Sequence, residues 1–124
     1  MNNVVLIVED ERYIATVLHE TLKDEGFAAE VVSDGTAALR RLQQEPVPAV
    51  VVLDLFLPGV RGRDIVASMR GDPNLLGVPL VLVTGAVESE GDFPPAGSYQ
   101  AVIFKPFDLG SVVATVQRLA RPTA

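Results

Sequence analysis

The chain has no cysteine, which excludes disulfides, thiolate metal sites and cysteine nucleophiles. It has no surplus of base: 10 Lys and Arg stand against 16 Asp and Glu, for a net charge of −6. That balance argues against a nucleic-acid backbone as ligand and fits a protein partner with a basic face. No apolar run approaches the roughly 18 residues of a membrane span. Met1-Asn2-Asn3 lacks the basic region of a signal peptide, and the apolar run that follows is too short for its core. These absences point to a cytoplasmic protein without membrane contact. What is present is a chain of 124 residues, 48% apolar and 21% charged, expected to fold as a single globular domain over residues 1–124.

The most informative stretch is Ala49-Val50-Val51-Val52-Leu53-Asp54. A continuous apolar run describes a strand covered on both faces, as in the middle of a parallel sheet. It ends in a carboxylate. Val4-Val5-Leu6-Ile7-Val8 is a similar run and ends in Glu9-Asp10-Glu11. Ile14, Val17, Leu18 and Leu22 then predict an amphipathic helix over about 12–24, with Gly26 just past its end. Residues 28–32 read as a short edge strand, because Glu30 interrupts it. Ser33-Asp34 caps a helix with Ala38, Leu39 and Leu42 inside, and Pro46 and Pro48 stop it. After Asp54, Pro58, Gly59 and Gly62 mark a loop, followed by a short helix carrying Ile65, Val66 and Met69. Pro79-Leu80-Val81-Leu82-Val83-Thr84 is another strand, and residues 101–104 form the last, ending in Lys105-Pro106. Asp108 caps a final helix with Val112 and Val116 on its inner face. Strand–helix alternation also predicts a helix in 86–100. Pro94 and Pro95 there cost about 3 kcal/mol each inside a helix, so that element is expected to be shortened or irregular. The pattern is (βα)₅, a five-stranded parallel sheet with helices on both faces.

All strand C-termini of a parallel sheet lie at one edge. Glu9 and Asp10, Asp54, Thr84 and Lys105 therefore meet in one shallow pocket. Carboxylates about 4–5 Å apart repel by several kcal/mol at an effective dielectric of ~20, so they remain ionised together only beside a cation. Oxygen ligands with room for water suit Mg²⁺. Lys105 and Thr84 across the gap suit a phosphoryl group, and a carboxylate in that gap can serve as its nucleophile.

These residues, with Pro58, Gly62 and Lys105-Pro106-Phe107, resemble the receiver domain of bacterial two-component response regulators, the CheY-like family. The likeness covers essentially the whole chain. It implies a flavodoxin-like, doubly wound sheet in the order 2-1-3-4-5. It also implies a Mg²⁺-dependent phosphoacceptor switch, assisting its own phosphotransfer but not otherwise an enzyme. Asp54 would accept phosphate from a sensor histidine kinase or phosphotransfer protein. Asp10, Asp54 and the backbone carbonyl of Phe56 would hold the metal, with Glu9 acting through water. Lys105 would bind the phosphoryl oxygens, Thr84 would move toward them, and the Lys105–Pro106 peptide would be cis. The downstream target or fused output domain is not specified. The resemblance leaves a monomer or weak dimer. The chain ends soon after its last helix, which reads as a stand-alone receiver or one cut from a longer protein.

Three positions depart from the family pattern. Val102 stands where a switching Tyr or Phe is usual, and Tyr99 is the nearest substitute. Pro94-Pro95 breaks the helix that many receivers use to meet partners. Phe56 and Ala86, two residues past Asp54 and Thr84, cannot hydrogen-bond a hydrolytic water, so self-dephosphorylation is expected to be slow. The alternatives are a pseudo-receiver that signals by binding alone and a phosphatase or flavin enzyme. Against the flavin reading, Glu9-Asp10-Glu11 would repel phosphate. His19 reads as exposed and remote from the pocket. Arg61 and Arg63 read as solvated charges beside it, with partner contact as the alternative.

Overall fold

Continuous apolar strands need cover on both sides, and a computed structural model, describing residues 2–85 and 93–120, shows how they obtain it. Strands β1 (Val4–Val8), β2 (Ala28–Val32), β3 (Val50–Asp54), β4 (Leu80–Thr84) and β5 (Ala101–Phe104) form one parallel sheet in the order β2-β1-β3-β4-β5. Among the described residues the helices are α1 (Arg12–Asp24), α2 (Gly35–Leu42), α3 (Gly62–Arg70) and α4 (Leu109–Ala120). Strand residues alternate between two cores. Leu6, Val8, Leu53 and Leu82 pack with Ala38, Leu42, Ile65 and Met69 of α2 and α3. Val5, Ile7, Val52 and Val83 pack with Leu18, Leu22, Val112 and Val116 of α1 and α4. Each Val, Leu, Ile or Met side chain among them, removed from water, contributes about 1.5–3 kcal/mol. The inner strands β1, β3 and β4 are buried throughout, whereas the edge strands β2 and β5 are not.

The sequence signals for helix ends act as expected. The Asp34 carboxylate accepts from the Ala37 N–H at 2.7 Å, and that of Asp108 from the Ser111 N–H at 3.2 Å. Gly26 has φ +94°, the left-handed conformation that ends α1 without a Cβ penalty. Glu30, the acid on β2, is held by the Arg41 guanidinium at 2.7 Å.

Part of the expected irregular helix, residues 86–92, lies outside the described residues; residues 93–100 form turns. Their anchor is Arg70, to which no sequence signal pointed. Its guanidinium donates to the carbonyls of Ser98 at 2.8 Å, Leu76 at 3.0 Å and Leu75 at 3.3 Å, and to Gln100 Oε1 at 3.3 Å. Gln100 Oε1 in turn accepts from the Leu80 N–H at 2.7 Å, at the start of β4. One planar cation thus ties the end of α3 to the approach to both β4 and β5. Arg70→Ala should lower unfolding stability by about 2 kcal/mol, and Arg70→Lys should recover less than half of that, because an ammonium cannot span the same carbonyls. Urea unfolding of the three proteins measures the difference.

Candidate functional site

At the C-terminal edge of the sheet, β1 delivers Glu9 and Asp10, β3 delivers Asp54, β4 delivers Thr84 and β5 leads into Lys105. Ladder register enforces the meeting: Val8 lies beside Leu53, Asp54 beside Val83, and Thr84 beside Phe104. Glu9, Asp10 and Asp54 each place a carboxylate oxygen within 4.8 Å of the others. Glu9 and Asp54 are buried, at 2% and 6% exposure, while Asp10 is open to solvent. Thr84 is fully buried.

Lys105 holds the acids together. Its Nζ lies 3.0 Å from Glu9 Oε1 and 3.2 Å from Asp54 Oδ2. The remaining carboxylate oxygens find backbone donors: the Glu11 N–H donates to Glu9 Oε2 at 3.0 Å, and the Phe56 N–H to Asp54 Oδ1 at 3.0 Å. The Lys105 stem leaves β5 through its own N–H, which donates to the Thr84 carbonyl at 2.8 Å, and the next peptide, Lys105–Pro106, is cis as expected. Gly62 fixes the loop after Asp54. Its N–H donates to the Leu55 carbonyl at 3.2 Å, and a Cβ there would come within 2.7 Å of the Leu55 Cα.

Burial pushes the Glu9 carboxyl up; the Glu11 N–H and Lys105 pull it down, the Asp54 charge adds to the rise, and the net shift is upward. For Lys105, partial burial acts to lower the ammonium, but the Glu9 hydrogen bond and the charges of Asp54 and Glu9 outweigh it and raise the net pKa. Three carboxylates against one ammonium leave an acidic, oxygen-only donor set. Two of its acids are preorganised by hydrogen bonds and the third is reachable from water, which fits a hard divalent cation that retains part of its hydration.

The expected site residues therefore converge. The readout candidates are placed differently: Val102 and Tyr99 are both half-buried and packed against the core shared with α2 and α3, where Tyr99 meets the Phe93 ring edge-on at 6.5 Å. Ala86 lies outside the described residues. His19 is less exposed than expected, with about one-third of its side chain open to solvent. It is 3.9 Å from Glu20, two turns into α1, and lies along a groove of about 580 Å³ whose lining also includes Glu9 and Asp10. No described helix is long and apolar enough to cross a membrane.

A doubly wound parallel sheet with an acid–lysine pocket at its carboxyl edge defines a class of α/β signalling domains as well as enzymes. Comparison with known proteins decides between them: residues 5–117 match the family model described as response regulator receiver domain. The chain belongs to that family. It is 36% identical over 125 residues to the DNA-binding response regulator MtrA of Mycobacterium leprae, covering 98% of this chain and 52% of that protein. It is 37% identical over 119 residues to the sensory transduction protein RegX3 of Mycobacterium tuberculosis, covering 94% of this chain and 50% of that protein. The chain thus spans about half the length of these relatives. A CheY-like response regulator receiver domain from Methanospirillum hungatei shares the fold, with a TM-score of 0.87 and 20% identity over 97% of this chain and 94% of that one. The protein is a receiver domain of two-component signal transduction.

The shift of Glu9 has a measurable sign in the metal-free protein. A carboxyl whose folded pKa is raised stabilises the fold fully below its ordinary value of 4.5 and loses that contribution as pH rises through the folded pKa. Metal-free wild type should lose stability from pH 4.5 toward neutrality by a component that Glu9→Gln removes. Urea midpoints across that range, with a chelator present, report it.

Proposed function

We propose that Asp54 is the phosphoacceptor of a Mg²⁺-dependent switch, and that residues 1–124 act as one such domain. The observation that carries this reading is the pairing of Lys105 with both Asp54 and Glu9 beside the exposed carboxylate of Asp10. In that arrangement Asp54 keeps a charged oxygen at the pocket while a cation already faces the space a phosphoryl group would enter.

Asp10, Asp54 and the Phe56 carbonyl would hold the ion, with Glu9 acting through water. Bound there, Mg²⁺ would neutralise charge on the phosphoryl oxygens. The chain's own residues do the rest. Asp54 offers a carboxylate oxygen to phosphorus, forming an O–P bond as the P–N bond of a donor phosphohistidine breaks; that electron pair leaves on the imidazole nitrogen, which takes a proton from solvent. The Phe56 N–H orients the carboxylate through Oδ1. Lys105 exchanges its contact with Asp54 for the new phosphoryl oxygens while Glu9 retains it. Thr84, at the end of the neighbouring strand, supplies a hydroxyl to the same group.

A sensor histidine kinase or phosphotransfer protein fits as donor, and a downstream protein or fused output domain as receiver of the signal. Binding without phosphorylation has no separate observation in its favour, since the acids and the lysine are assembled. An acidic domain with no membrane-spanning helix among its described residues suits a cytoplasmic pathway.

Incubation with acetyl phosphate and Mg²⁺ should add the mass of one phosphoryl group. Asp54→Asn or a chelator should abolish the addition, and an unchanged mass gain in Asp54→Asn would refute the assignment. The half-exposed Phe56 ring offers no hydrogen bond to a hydrolytic water. The phosphoprotein should therefore persist well beyond seconds after donor removal, and Phe56→Asn should shorten its life by about tenfold or more. Loss of the mass adduct with time measures both.

A further inference from the structure

The loop between Asp54 and α3, residues 55–61, brings backbone groups of Phe56 to the site. Its N–H holds Asp54 Oδ1 at 3.0 Å, and its carbonyl is the one proposed above to join Asp10 and Asp54 around Mg²⁺. A loop carbonyl serves as a ligand best when it is already in place, because ordering a loop on binding costs affinity. The half-exposed Phe56 ring does not supply that order.

Two glycine N–H groups pin the loop on either side of Phe56. Gly62, at the start of α3, donates to the Leu55 carbonyl at 3.2 Å, and Gly35, at the start of α2, donates to the Pro58 carbonyl at 3.2 Å. Leu55 directly precedes Phe56 and Pro58 lies two residues after it, so the Phe56 peptide is bracketed. Gly35, like Gly62, approaches too closely for any side chain. A Cβ on it would collide with the Val60 carbonyl oxygen and lie 2.8 Å from the Val60 Cβ. Val60 itself packs against the core shared with α2 and α3, so the collision can be relieved only by moving loop or helix backbone. Gly59, between Pro58 and Val60, turns the loop at φ +82°. The helix does not need the glycine: Asp34 supplies the cap, and Gly35 lies outside the left-handed region. Alanine would suit a first helical position at least as well. The missing Cβ therefore serves the contact with the loop.

We propose that Gly35 is a positioning residue of the metal site: by seating α2 on the backbone of residues 58–60, it holds the Phe56 carbonyl ready for Mg²⁺. The proposal rests on the reading of Asp10, Asp54 and Phe56 as the ligands. Through this contact α2, which carries none of the ligands, takes part in setting their affinity.

Calorimetric titration of the metal-free chain with Mg²⁺ tests it, together with the amide resonance of Phe56. Gly35→Ala should shift that resonance before any metal is added and raise the Mg²⁺ dissociation constant about tenfold. With acetyl phosphate, the Mg²⁺ concentration for half-maximal phosphorylation should rise by the same factor, while the rate at saturating Mg²⁺ changes far less. Leu42→Ala opens a cavity at the other end of α2, lowers stability without touching the loop, and should leave Mg²⁺ affinity near wild type. Where Gly35→Ala does not fold, Gly59→Ala decides instead. Its Cβ would stand 3.9 Å from the Gly35 nitrogen on a residue held at positive φ, so it strains the same pin from the loop side and should weaken Mg²⁺ in the same direction. An unchanged dissociation constant in the folded glycine variant, or an equal rise in Leu42→Ala, would overturn the proposal. Failure of the wild type to bind Mg²⁺, or binding that survives Asp54→Asn unaltered, is a different result: it removes the metal site proposed above and this inference with it.

Discussion

The Lys105 ammonium, set between Glu9 and Asp54, is the interaction on which the site depends. Both carboxylates are almost fully withdrawn from water, and two buried like charges at this separation repel unless a cation lies between them. A cation on a long stem resolves the conflict without closing the pocket. It arrives from β5, reaches across the end of β4, and leaves Asp10 on the solvent side. The result is a pocket in which one ammonium faces three carboxylates, an excess of negative charge on oxygen donors that fits a divalent cation.

The sheet makes that placement economical in sequence. Parallel strands align their carboxyl ends, so one polar residue at the end of each apolar run suffices to build a pocket from residues as distant as Glu9 and Lys105. Both cores then act as rigid backing. Leu53 faces α2 and α3 while Val52 faces α1 and α4, so β3 cannot rotate to release Asp54 without exposing one of the two. Gly62 and the loop after Asp54 extend the same rigidity to the mouth of the site.

Outward from the pocket, the position three residues before Lys105 is Val102, an aliphatic side chain. Val102 and Tyr99, both half-buried, pack against the core on the α2–α3 side, with Tyr99 edge-on to Phe93. Arg70 gathers the carbonyls of residues 75, 76 and 98 onto one guanidinium. Residues 93–100 are therefore tied to the end of α3 through this polar hub and the small aromatic contact.

Much of this was written in local sequence. Period and length of the apolar runs determined which segments are strands and which are helices, and Asp34, Asp108 and Gly26 marked helix boundaries because caps act within a few residues of themselves. The polar residues ending those runs named the site, since parallel alignment is a general consequence of buried strands joined by helices. Tertiary structure alone decided how the charges are shared. That Lys105 pairs with Glu9 as well as Asp54, that Asp10 is the carboxylate left open, and that Arg70 secures residues 93–100 all depend on side-chain reach between segments far apart in the chain. Hydrophobic periodicity records which face a residue turns; it carries no record of which distant partner a long charged side chain will find.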